Sequence, residues 1–131
     1  MAFENLMGMN AWTADASTGM RRYRFIKMNT DGTVGYPSST AGVAVDGVIR
    51  GEGTTGSTAS GQAVAVYPMG SIALVEAAAS TMAVGDLVQA SSVGQAEPLT
   101  AGAYAVGRVI AGSSGAANRV LSIRIENIGT T

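Results

Sequence analysis

Short apolar runs broken by Gly, Ser, Thr and Asp recur along the chain from Tyr23 to Ile128. Runs this short, rich in Val and bounded by turn residues, predict strands rather than helices. The densest stretch is Gly61–Val75, which reads Gly-Gln-Ala-Val-Ala-Val-Tyr-Pro-Met-Gly-Ser-Ile-Ala-Leu-Val. It predicts a hairpin of two strands, Ala63–Tyr67 and Ser71–Val75, joined by Pro68-Met69-Gly70, because Gly accepts the positive φ that closes such a loop. Both strands are apolar at nearly every position, which predicts cover on both faces. Ala alternates with Val along Ala63–Val66, the small–large taper that a tight barrel interior uses.

Other strands follow from the same pattern. In Arg21-Arg22-Tyr23-Arg24-Phe25-Ile26-Lys27 a period of two puts Tyr23 and Phe25 on one face and Arg22 and Arg24 on the other. Basic residues interleaved with aromatics are also a nucleic-acid signature, but the period favours an outward-facing strand. Its rim of Arg21, Arg22 and Arg24 is available to an acidic partner surface. Asp31-Gly32 predicts a turn, and Val34–Tyr36 a short strand ended by Pro37. Val43–Ile49 predicts a strand with a bulge at Asp46-Gly47. Ala77-Ala78-Ala79 is the candidate helical turn, Val84–Val88 a turn and strand, and Ala90–Glu97 a polar turn. Ala103–Ala111 and Arg119–Ile128 are further strands. In the last, Val120, Ser122, Arg124 and Glu126 share one face, and Leu121, Ile123 and Ile125 the other. Ala44–Ile49 and Ala105–Ile110 echo each other weakly.

Residues 1–20 differ from the rest. They carry Phe3, Leu6, Met7, Met9 and the single Trp, Trp12, on a segment with no sustained period. Such anchors predict an N-terminal arm that orders against a partner; the other reading is a strand laid on the chain's own barrel. The expected organisation is an arm over 1–20 and a compact all-β barrel over 21–131.

Composition narrows the chemistry. With no Cys and no His, the 131-residue chain lacks disulfides, thiol nucleophiles, imidazole bases and the usual zinc ligands. Its acids are scattered, and Asp31, Asp46 and Asp86 each adjoin a Gly, as turn residues do. The Gly-rich loop over 50–60 has no Lys after its glycines, so it is no phosphate-binding loop. The expectation is no enzymatic activity, no cofactor and no metal. A net charge of -1 gives no basic surplus for nucleic acid. No apolar run approaches the roughly 20 residues of a membrane span, and Glu4, with no basic stretch ahead of an apolar one, predicts no secretion signal. Charged residues are only 13% of the chain, which predicts a surface largely covered by other subunits.

A succession of motifs then carries a resemblance. These are the Asn29-Thr30-Asp31-Gly32 turn, Val45-Asp46-Gly47-Val48-Ile49 and its Gly-rich loop, and Ala63-Val64-Ala65-Val66-Tyr67 with Gly70. Val84-Gly85-Asp86-Leu87-Val88 and Ala105-Val106-Gly107-Arg108-Val109-Ile110 complete it. From Tyr23 to Ile128 the chain resembles the small capsid decoration (cement) proteins of tailed bacteriophages and, more distantly, the lambda-type head decoration proteins. The resemblance implies a β-barrel or β-tulip fold and a homotrimer on the outer surface of the expanded capsid. There it would clamp neighbouring major capsid subunits against internal DNA pressure. The arm would add a strand to a capsid edge, with Phe3, Leu6, Met7, Met9 and Trp12 as its contacts. Two other readings remain: another virion part, such as a head-fibre base, or a small ligand- or carbohydrate-binding β module built on Tyr36, Tyr67 and Tyr104.

Overall fold

The computed structural model describes residues 10–14, 21–37, 42–50, 63–78, 81–112 and 119–130, with 10–14 and 63–64 as backbone only. Every named element among them is a strand, so the all-β class holds. Five strands, β1 (Asn10–Ala14), β2 (Phe25–Met28), β3 (Thr33–Gly35), β4 (Gly47–Ile49) and β5 (Ala63–Pro68), pair in the order β1-β3-β2-β4-β5. β5 returns to β1 through Ala11↔Ala65 and Trp12↔Val64, so this ring closes as a small barrel. The β1–β3 pair is parallel and the other four are antiparallel. The remaining strands, β6 (Ile72–Glu76), β7 (Leu87–Ala90), β8 (Ala96–Pro98), β9 (Tyr104–Ala111) and β10 (Val120–Thr130), form a second sheet ordered β6-β10-β9-β7-β8.

Consecutive residues of the short barrel strands serve two different cores. Ile26, Val34, Ile49 and Val66 are buried together inside the barrel. Phe25 and Val48, their chain neighbours, point the opposite way, as the alternation of a strand requires. They form one row with Tyr67 through the pairs Phe25↔Val48 and Val48↔Tyr67. That row packs against Ala73, Val75, Val88, Val109, Leu121, Ile123 and Ile125 of the second sheet. This explains why β2 and β4 are apolar at successive positions: one face fills the barrel and the other joins it to the sheet. Each such side chain contributes about 1.5–3 kcal/mol on burial.

Several expectations are corrected. β5 and β6 are not a hairpin. Both edges of β5 are taken by β1 and β4, so β6 pairs with β10 instead. The turn between them carries the chain from barrel to sheet. Gly70, at φ +96°, donates its N–H to Ile125 O at 2.6 Å, and Ile125 N–H donates to Ser71 O at 2.9 Å. β6 is also not covered on both faces, since Ile72 and Leu74 are exposed. Ala77 is no helix but bridges in parallel to Ala96. The strand expected over Val43–Ile49 begins only at Gly47. Asp46 stands off the ladder, its N–H donating to Ile26 O and its carboxylate accepting from Met28 N–H at 2.7 Å. β8 begins within the expected polar turn and runs one residue past it, its three residues too few for a period to show. β10 keeps the expected alternation of burial through Ile125, while its register with β9 shifts between Ser122 and Ile123 and again between Ile125 and Gly129.

The barrel also takes in part of the segment read as an arm. Asn10–Ala14 is β1, a strand between β3 and β5 of the chain's own sheet. Its residues Thr13 and Ala14 supply the parallel partners of Thr33 and Val34 that complete the ring. Phe3, Leu6, Met7 and Met9 lie outside the described residues. Phe25, with no exposed surface, bridges the two layers, so Phe25→Ala is expected to cost about 3–5 kcal/mol in urea denaturation.

Candidate interaction surface

The first polar feature is a buried one. Tyr23 has φ +62°, a left-handed backbone for a bulky non-glycine residue. That turn breaks the alternation on which the Arg rim was predicted, and it swings Arg24 inward. Arg24 is only 5% exposed and Glu76 9%. The guanidinium meets the carboxylate at two points, Nη2 to Oε1 at 3.1 Å and Nε to Oε2 at 3.4 Å. Arg24 Nη1 also donates to Val93 O at 2.9 Å, and Gln95 Nε2 donates to Glu76 Oε1 at 3.2 Å. The ring of Tyr36 lies 5.9 Å from the guanidinium carbon.

Backbone bonds run through the same place. Glu76 N–H donates to Tyr23 O at 2.8 Å and Phe25 N–H to Gly94 O at 2.7 Å. The cluster therefore ties the entry of β2 to the end of β6 and to the β7–β8 turn. Gly94 is required there: its φ is +81°, and a Cβ would lie 2.5 Å from Phe25 O. Arg24 is thus an internal strut and no rim residue. Arg21 and Arg22 do stay exposed. Arg21 N–H donates to the Tyr36 hydroxyl at 2.9 Å, and Arg22 lies 5.1 Å over the Tyr23 ring.

The second feature is an apolar face on the outside of the second sheet. Ile72, Leu74 and Val120 are 54%, 45% and 40% exposed. They come together because β6 and β10 pair with Ser122 opposite Leu74 and Arg124 opposite Ile72. Arg124 is also opposite Arg108 of β9, and Arg108 is opposite Leu87 of β7. One row across the face therefore reads Ile72, Arg124, Arg108, Leu87. The sequence carried the signal, since Ile72 and Leu74 share a period-two face. It was obscured because Ala73 and Val75 on the other face are apolar as well.

Little else among the described residues suggests chemistry. No group of three or more His, Cys, Asp or Glu there is placed to hold a metal ion. No helix there is long and apolar enough to cross a membrane. Tyr67 and Tyr104 pack on the core between the layers and Tyr36 on the barrel core, so the three form no exposed aromatic cluster.

The architecture has a counterpart of known class. No protein-family profile and no curated protein sequence matches the chain. Among solved structures, the fold is shared with a part of a bacteriophage head fiber. That structure is the head fiber gp8.5 N base of bacteriophage phi29, similar with a TM-score of 0.66 over 90% of this chain and 94% of that one, at 19% sequence identity. A likeness at this identity is one of fold.

Two substitutions test the strut. Arg24→Ala leaves a carboxylate buried without its partner, and is expected to cost about 3–5 kcal/mol in urea denaturation. Changing both partners, Arg24→Met with Glu76→Leu, should recover most of that loss, because no buried charge is then left unpaired. Gly94→Ala should cost about 2 kcal/mol or more by the same measurement, from strain at φ and collision with the Phe25 carbonyl.

Proposed function

We propose that the chain is a structural protein of a bacteriophage virion, seated on the outer surface of the head as a base module. The observation that carries this reading is the shared fold with the phi29 head fiber base over nearly the whole of both chains. The resemblance of Tyr23–Ile128 to capsid decoration proteins points to the same place by a separate route. A sparsely charged surface with an exposed aliphatic face suits a protein that works in contact with other subunits.

In this reading the partner is the major capsid protein and the chain is a homotrimer, without enzymatic activity, cofactor or direct contact with nucleic acid or membrane. Whether it clamps neighbouring capsid subunits, as a cement protein does, or carries a further appendage, as a fiber base does, is a difference of consequence for the shell. A clamp raises the temperature at which filled heads break; a mount leaves it unchanged. The chemistry of attachment is common to both: many modest contacts repeated over a lattice and strengthened by multivalency.

The test is co-sedimentation of the purified chain with expanded, undecorated heads of the phage whose genome encodes it. Saturable binding is expected. Deletion of residues 1–9, which carry Phe3, Leu6, Met7 and Met9 but leave β1 in place, is expected to weaken it by about tenfold or more if the arm grips the capsid. Absence of binding by the full chain would refute the reading. Heat-release of DNA from bare and bound heads separates clamp from mount.

A further inference from the structure

We propose that the outer face of the second sheet, at the open edge of β6, is a docking surface for a short extended segment of a partner protein that carries an acidic residue beside aliphatic ones. The proposal deepens the virion reading and rests on it for the partner, which is presented by the head.

Open edges are scarce among the described strands. The barrel closes on itself and leaves none. β8 is three residues long, contains Pro98 and is bridged at Ala96 by Ala77. β6 is different. Ile125 N–H donates to Ser71 O and Ala77 N–H to Arg119 O, so the odd-numbered residues of β6 bond toward β10. The N–H and C=O of Ile72 and Leu74 therefore point to the opposite edge. At that edge the next even position is already taken, since Glu76 N–H donates to Tyr23 O. Among the described residues the open span is Ile72–Leu74, with no Lys, Pro or bulge to discourage pairing. Both residues also present a large exposed aliphatic side chain, beside exposed Val120.

Charge supplies the chemistry of the occupant. Arg108 and Arg124 are exposed and directly opposite across β9 and β10. Like charges so placed repel. Arg108 donates one N–H to Gly85 O, at 2.8 Å, which leaves its charge unbalanced. The ion pair found among the described residues is Arg24–Glu76, so neither Arg108 nor Arg124 is paired with a described residue, not even with Glu126 two residues further along β10. A carboxylate brought to the β6 end of this row would offset the repulsion and meet the Arg124 guanidinium as its donor. A strand added beside β6 lies two strand spacings, about 10 Å, from β10. An Arg124 side chain and an acidic side chain on that strand together span the gap over Ile72. Pairing at Ile72–Leu74 would supply main-chain hydrogen bonds, and the aliphatic side chains the apolar contact.

The test uses the full chain and expanded heads in the same sedimentation assay. Leu74→Lys and Arg124→Glu, both at exposed positions, should each weaken binding by about tenfold or more. Lys27→Ala, an exposed change on the barrel, should leave it unaltered. Amides of Ile72 and Leu74 should exchange hydrogen more slowly on heads than in free protein. Melting temperatures of the free variants are compared first; should Leu74→Lys prove unfolded, Arg124→Glu and the amide exchange decide. Wild-type binding that both variants retain, with no protection of β6, overturns the proposal and leaves the virion reading standing. Failure of the wild-type chain to bind removes both. A change of oligomeric state in the variants with unchanged affinity for heads would assign the face to a second copy of this chain, and would also overturn the proposal.

Discussion

The Arg24–Glu76 pair is the constraint around which the two layers are arranged. The partners are 52 residues apart, one entering the barrel and the other ending the first strand of the sheet. Neither charge is stable in a nearly dry interior unless the other is placed beside it with its remaining hydrogen bonds met. Val93 O and Gln95 Nε2 meet them here. A pair of this kind adds little net stability over an apolar replacement. Its effect is geometric, because a misplaced layer would leave two buried charges unsatisfied. Phe25 and Val48 provide the apolar attraction between the layers, while the pair beside them fixes their relative position.

That position decides what the molecule presents. With Glu76 buried and its N–H bonded to Tyr23 O, β6 is covered at one end and, among the described residues, open at the other. The inner face of the second sheet is spent on the barrel. Its outer face keeps Ile72, Leu74 and Val120 in solvent. A closed barrel joined to an open sheet is an asymmetric object: the barrel half has no free strand edge, and the other half keeps Ile72–Leu74 unpaired among the described residues.

Much of this was legible before folding was considered. The turn at Asp31-Gly32, the strand of Tyr104–Ala111 and the alternation of Val120–Ile125 follow from turn chemistry and period two, which act over a few residues. The all-β class follows from the same local signals repeated. Arg24 was not legible, because the period assumes an extended backbone and Tyr23, at φ +62°, departs from one. The supposed β5–β6 hairpin failed for another reason. Turn residues say that the chain reverses, but not whether the next strand finds a free edge on the last one. β1 and β4 had filled both edges of β5.

The sequence by itself determined the elements and their faces: short Val-rich strands, tight glycine turns, and a chain without His or Cys chemistry. Only the tertiary structure decided how the apolar faces were shared out. Phe25 and Ile26 are adjacent and equally apolar, yet one joins the layers and the other fills the barrel. Ile72 is as apolar as either and stays exposed. Hydrophobicity is a property of a residue, whereas burial depends on which distant strands arrive to cover it. Those arrivals were fixed by strand-edge availability and by the need to pair one buried arginine with one buried glutamate.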